Sequence, residues 1–196
     1  MAKSTRTPRA RRTRAVPARP STRDTLYPLN VVYARAGVDM PAWRMVTPDQ
    51  IPAPYRSMLV HDDDMTSTLE RHYGGQVVLR ALSTFSRGGW YFRRVLLVQE
   101  YSGRPVEMGA IRIKLGAFET RLKAAILKNE VPLGRVMGEG RFNYTSRVKG
   151  YVALTPNPEM MGVFWMREPR TLYGRRTEIM HASRKIGDVV EVLPPV

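Results

Sequence analysis

The sequence predicts an α+β domain built on a single, mostly antiparallel sheet with helices packed on one face. Three strand-like runs, Gln76 to Phe85, Trp90 to Tyr101 and Val106 to Leu115, follow one another with only Ser86-Arg87-Gly88-Gly89 and Ser102-Gly103-Arg104-Pro105 between them. Turn-forming groups that short join antiparallel neighbours, so the three runs form a meander. Segments of helical period stand on either side of it, and strand texture returns before the C-terminus. That order of elements fits one sheet with a helical cover.

Taken in order, residues 26 to 48 mix short apolar pieces with Pro28, Pro41 and Pro48 and read as an extended lead-in. Ile51, Tyr55, Met58 and Leu59 recur at helical intervals between Asp49 and Val60, and Pro52 and Pro54 confine that helix to the second half of the segment. The stretch from His61 to Gly75 carries a cap at Asp64, Thr66 or Ser67, acids where the helix dipole is positive, and a Gly74-Gly75 stop. After the meander, Ala117 to Asn129 places Leu122, Ala125 and Ile126 on one helical stripe, and Pro132 opens a further short turn or helix through Met137. Arg141 to Leu154, Met160 to Arg167, Leu172 to His181 and Asp188 to Leu193 return to strand texture.

The chain has 196 residues, 43% of them hydrophobic, which is enough for one domain with a real core. The formal net charge is +15, and eight of the fifteen excess cations lie within residues 1–23, a stretch with no acid. That stretch is rich in Ser, Thr, Ala and Pro and too poor in large apolar residues to offset the entropy of ordering, so residues 1–24 are expected to form a disordered basic arm and residues 25–196 the domain. As a functional element the arm would hold nucleic acid or another anionic surface through salt-sensitive phosphate contacts. Without aromatics or glycines among its arginines it reads more readily as a solubilising tail, and its Arg-rich, acid-poor start also has the texture of a transit segment. Nucleic acid is a candidate partner only through the arm.

No cysteine is present, which excludes disulfides, thiolate metal sites and a cysteine nucleophile. No apolar stretch approaches the roughly 20 residues of a membrane helix, so the expectation is a cytoplasmic protein without membrane insertion. His61-Asp62-Asp63-Asp64 lacks a second ligand group at metal-site spacing and sits where a helix start favours acids; no metal or other cofactor is expected. The Gly138 to Arg141 segment lacks the strand-to-helix setting and the Lys-Ser/Thr ending of a nucleotide loop. The charges inside apolar runs carry more information. Arg93 interrupts Trp90-Tyr91-Phe92 and Val95-Leu96-Leu97-Val98, and Glu191 interrupts Val189-Val190 and Val192-Leu193. A cation carried through so much apolar surface requires a counter-charge, either Glu191 or the carboxylate of a ligand.

Five short signals in fixed order extend this reading: Asp64-Met65-Thr66 with Leu69-Glu70, Trp90-Tyr91-Phe92-Arg93, Pro132-Leu133-Gly134-Arg135, Leu172-Tyr173-Gly174-Arg175-Arg176, and Gly187 through Glu191. The series resembles the chorismate pyruvate-lyase family, enzymes that convert chorismate to 4-hydroxybenzoate and pyruvate without a cofactor. The resemblance covers roughly residues 50–194, and its two most specific pieces are Pro-Leu-Gly-Arg and Leu-Tyr-Gly-Arg-Arg. It implies a chorismate-lyase-like fold, a largely antiparallel sheet with a ligand enclosed beneath helical flaps, and a role in making an aromatic acid.

The resemblance also implies the site. Arg93 takes the place of the arginine that binds the ring carboxylate, Met65 and Leu133 those of backbone contacts at two helix starts, and Glu191 that of a glutamate meeting the ring hydroxyl. Arg93 and Glu191 are the implied catalytic pair. Arg94 faces the other side of the same strand, so a register error of one residue would exchange the two arginines. Arg135, Arg175 and Arg176 are candidates for a second cation toward the enolpyruvyl carboxylate, with ion pairs of the flaps and surface as the alternative. On the same fold, a module that senses a small aromatic acid without turning it over is the alternative function.

Overall fold

A computed structural model describes residues 26–196. The expectations for the basic arm fall outside these residues. The elements are α1 (Leu29–Ala36), β1 (Ala42–Val46), α2 (Tyr55–Leu59), α3 (Met65–Tyr73), β2 (Val77–Arg87), β3 (Trp90–Gln99), β4 (Pro105–Ile113), α4 (Thr120–Lys128), α5 (Leu133–Glu139), β5 (Thr145–Thr155), α6 (Pro158–Val163), β6 (Leu172–His181) and β7 (Arg184–Leu193). Seven strands form one sheet in the order β1-β5-β6-β7-β4-β3-β2, and every neighbouring pair is antiparallel. Two meanders, β2-β3-β4 and β5-β6-β7, thus join edge to edge where β7 pairs with β4. The fold is the α+β, single-sheet class that the sequence predicts.

The alternation of β3 divides its residues between two faces. Tyr91, Val95 and Leu97 pack beneath helices α2 to α5, in two apolar clusters that include Met58, Met65 and Leu69 on one side and Leu122, Ile126 and Leu133 on the other. Phe92, Leu96 and Val98 turn the other way and pack with Leu29, Val32 and Tyr33 of α1 and Met160 of α6. The helical cover therefore extends to both faces. Four helices stand over the Arg93 face; α1 and α6 add a layer behind the sheet.

Those two helices are the departures from the sequence reading. Residues 29–36, expected to be extended, form α1 because Leu29, Val32 and Tyr33 share one stripe that is fully buried against the sheet. Gly37 ends α1 at φ 65°, with its N–H bonded to the carbonyls of the last turn. Met160 to Arg167, expected to be a strand, instead contains the end of α6: Asn157 Oδ1 accepts from the Met160 N–H at 2.8 Å and Pro158 fills the first turn. The last strand is longer than expected, beginning at Arg184.

Candidate functional site

The site is assembled from one face of the four central strands and the starts of two helices. Across the sheet, Arg93 lies opposite Ile111, which lies opposite Val189; one row along, Val95, Gly109, Glu191 and Arg175 stand side by side on β3, β4, β7 and β6. Above this floor, α3 begins after Asp64, whose Oδ2 caps the Ser67 N–H at 2.9 Å, and α5 begins at Leu133 after Pro132. The two helix starts meet tightly. A Cβ on Gly134 would stand 1.8 Å from Asp64 Oδ1, so only glycine allows this approach. An ion pair from Arg135 to Glu70 ties α5 to α3, and Arg135 also donates to the Val77 carbonyl at 3.2 Å.

Floor and roof enclose a cavity of about 80 Å³. A cavity on the order of 150 Å³ accepts benzene and a single water needs about 10–15 Å³, so this one has room for several waters as it stands and admits a single ring only if the helix starts above it move apart. Met65, Arg93, Leu133 and Glu191 all line it, as do Glu107, Gly109, Tyr144 and Arg175. The first-turn amides of α3 and α5 have no intrahelical acceptor and carry the positive end of the helix dipole.

Of the two counter-charges that the sequence left open for Arg93, Glu191 is taken by another cation. Glu191 Oε2 accepts from Arg175 Nε at 2.6 Å and lies 3.5 Å from Thr177 Oγ1, so Arg175, not Arg93, is its counter-charge. The reason is position. Glu191 is directly opposite Arg175 in the β6–β7 ladder, whereas Arg93 is two strands away and one row off, roughly 12 Å at the spacings of a sheet. Arg175 is further held by the carbonyls of Leu59 and His61. Burial acts to lower its pKa, but Glu191 and Glu107 outweigh that and hold it above the ordinary value.

Arg93 is left without a carboxylate among the described residues. It is 2% exposed; Nη1 reaches Asn129 Oδ1 at a long 3.4 Å, and Nε has no hydrogen-bond partner. Asn129, which also bonds the Tyr91 hydroxyl, stands at φ 56° just beyond α4. Burial pulls the Arg93 guanidinium down to about 10, since desolvation disfavours the charged form. Arg94 points to the opposite face, over the Tyr33 ring and in an ion pair with Glu159, and is not part of the cavity. Arg176 is also on that face, bonded to Asp188 Oδ1 at 3.2 Å.

A second acid enters the cavity that the sequence reading passed over. Glu107 is 4% exposed, its Oε2 has no hydrogen-bond partner, and burial, reinforced by Glu191, pushes its carboxyl well above the ordinary range. The signal was the same as for Arg93, a lone charge in the apolar run Val106-Glu107-Met108. Tyr144 at the rim is pushed up to about 12 by burial and by Asp64. His61 Nε2 lies 2.7 Å from the Met58 carbonyl, and among the described residues no three acids or histidines converge as a metal site would require. Among the same residues, no helix is long and apolar enough to cross a membrane.

No family model matches the chain, and no curated protein matches it. Solved structures do. The gene product SA0254 of Staphylococcus aureus subsp. aureus N315 superposes with a TM-score of 0.51 at 3% identity, over 69% of this chain and 90% of that one. PhnF from Mycobacterium smegmatis gives 0.48 at 9% identity, over 70% and 66% of the two chains. The ligand-binding domain of a GntR-family transcriptional regulator from Bordetella bronchiseptica gives 0.43 at 13% identity, over 60% and 85%. What the first of these establishes is a shared fold.

Proposed function

We propose that this chain binds a small aromatic carboxylate of the 4-hydroxybenzoate kind in the enclosed cavity, with Arg93 taking the carboxylate. The observation that carries the reading is a buried guanidinium with no anion beside it, in a cavity whose other cation, Arg175, is already neutralised by Glu191. A buried cation is tolerated when something pairs with it, and an arginine fork matches a carboxylate at two points. The helix starts at Met65 and Leu133 supply further N–H groups to the same anion. Apolar walls from Val95, Ile111 and Val189 suit a flat ring.

A second reading, turnover of chorismate, is favoured by one observation: all four residues implied by the resemblance line one cavity. In that reaction the ring loses a C–H proton, the C–O bond to the enolpyruvyl group breaks, the ring becomes aromatic, and the enolpyruvate takes up a proton to become pyruvate. The driving force is in the substrate, so the protein has to orient and neutralise. Chorismate is a dianion, however, and the cavity offers one uncompensated cation among the described residues. Its second carboxylate would have to draw Arg175 from Glu191, which favours a monoanion and hence the binding module.

Titration calorimetry with 4-hydroxybenzoate tests the site. Arg93→Ala should weaken binding at least about 30-fold, since truncating one member of a buried charge pair costs roughly 2–5 kcal/mol. Unchanged affinity would remove Arg93 from the site. Incubation with chorismate then separates the readings: equal amounts of pyruvate and 4-hydroxybenzoate identify a lyase, and binding without pyruvate a sensing or carrier module.

A further inference from the structure

Glu107 is the one acid of the cavity that no ion pair or hydrogen bond occupies among the described residues. Its position is defined by the sheet. On β4, Glu107 and Ile111 share the cavity face with Gly109 between them, and Ile111 is the partner of Arg93. Four residues of strand separate the Arg93 row from the Glu107 row, roughly 13 Å between backbones. The Glu107 carboxyl leans from its own row toward that of Arg93, its Oε1 lying beside Gly109. A Cβ on Gly109 would stand 3.1 Å from both Glu107 Oε1 and Val95 Cγ2, so the glycine leaves room for that carboxyl.

A buried polar atom without a partner costs on the order of 1–3 kcal/mol, and a group left in that condition beside a cavity implies that something in the cavity satisfies it. An ionised Glu107 would confront Glu191 and Asp64 with only Arg175 in opposition, and the interior favours the protonated acid. A protonated carboxyl donates one hydrogen bond and accepts others.

Resting on the carboxylate-binding reading above, we propose that Glu107 is the specificity-determining group of the cavity: as a neutral acid it hydrogen-bonds a hydroxyl on the far side of the ring from the Arg93-bound carboxylate. It thereby selects para-hydroxylated ring acids over unsubstituted ones. A site built to bond a ligand hydroxyl rejects the analogue lacking it, because the buried group is then left unpaired.

The test compares benzoate with 4-hydroxybenzoate. In the intact protein 4-hydroxybenzoate should bind at least tenfold more tightly. Glu107→Gln, which retains a donor and an acceptor, should keep that preference within a few-fold. Glu107→Leu should bring the ratio close to one while benzoate still binds. A ratio that survives in Glu107→Leu overturns the assignment. Failure of both acids to bind, or binding with no dependence on Arg93, overturns the carboxylate reading instead. Infrared difference spectra of the intact protein supply a measurement that needs no folded Leu variant: the carbonyl stretch of a protonated carboxyl should shift on adding 4-hydroxybenzoate and not on adding benzoate, and the signal should vanish in Glu107→Gln. No such shift also overturns the proposal.

Discussion

Arg93 is a stability liability that a ligand would convert into affinity. Its pKa is lowered to about 10 by burial, so the folded state holds this proton less tightly than the unfolded chain does. Folding is therefore penalised at every pH below about 10 by an amount on the order of 3 kcal/mol, and the penalty fades only as the pH rises through 10 toward the ordinary arginine range. Replacing a buried charge by an apolar side chain of similar size is commonly neutral or stabilising. Arg93→Met should accordingly raise the melting temperature of the ligand-free protein at pH 7. The same variant should lose the rise in melting temperature that 4-hydroxybenzoate produces in the parent, because that rise measures binding to the folded state. A ligand-free Arg93→Met protein that melts lower than the parent would mean that Asn129, itself held by the Tyr91 hydroxyl, satisfies the cation well enough without an anion.

Between elements, the contact that shapes the cavity is the crossing of the α3 and α5 starts. Gly134 faces the Asp64 carboxylate so closely that one methyl group cannot be inserted without displacing α5 or breaking the cap on Ser67. Gly134→Ala should therefore destabilise the fold by roughly 1–3 kcal/mol, the usual cost of overpacking, and weaken aromatic-acid binding; calorimetry and thermal melts measure both. Normal affinity in this variant would show that the cavity opens elsewhere. The elements themselves differ in how plainly the sequence announced them. The β2-β3-β4 meander was legible because alternation and two short Gly-containing turns coincide, and α3 because Asp64 and Gly74 bracket it. The first helix was hidden: Val31-Val32 and the flanking prolines look extended, and eight residues are too few to be helical without the sheet they bury against. For α6 the Asn157-Pro158 start was a readable cap, masked by the apolar run Met160 to Trp165. At the site, Arg93 and Glu191 were visible as charges in apolar runs, but their partners were not. Which of Arg175 and Arg176 turns inward is set by the register of β6 on β7, with Arg175 opposite Glu191, a feature of the pairing and not of the local sequence.

At the scale of the whole molecule, we propose that about half of the excess charge lies on an arm separate from the binding domain. The three apolar clusters and the cavity draw on residues from Leu26 onward, whereas eight of the fifteen excess positive charges lie in residues 1–23. The composition of residues 1–23, basic and poor in large apolar side chains, is that of an arm separate from the domain. Removing these residues should leave the melting temperature and the affinity for 4-hydroxybenzoate unchanged. It should also abolish any salt-dependent nucleic-acid binding, in which each phosphate contact made by a Lys or Arg contributes roughly 0.9 to the slope of affinity against salt on a logarithmic scale. Fluorescence anisotropy with a labelled oligonucleotide over a salt series, run beside ligand calorimetry on the intact and shortened chains, measures both quantities. An equal slope in the two chains would place the polyanion contacts on the folded domain, where Arg147 and Lys149 are exposed. A drop in 4-hydroxybenzoate affinity would show that the basic residues steer or hold the acid at the cavity, and that the division between a charged arm and a binding domain is wrong.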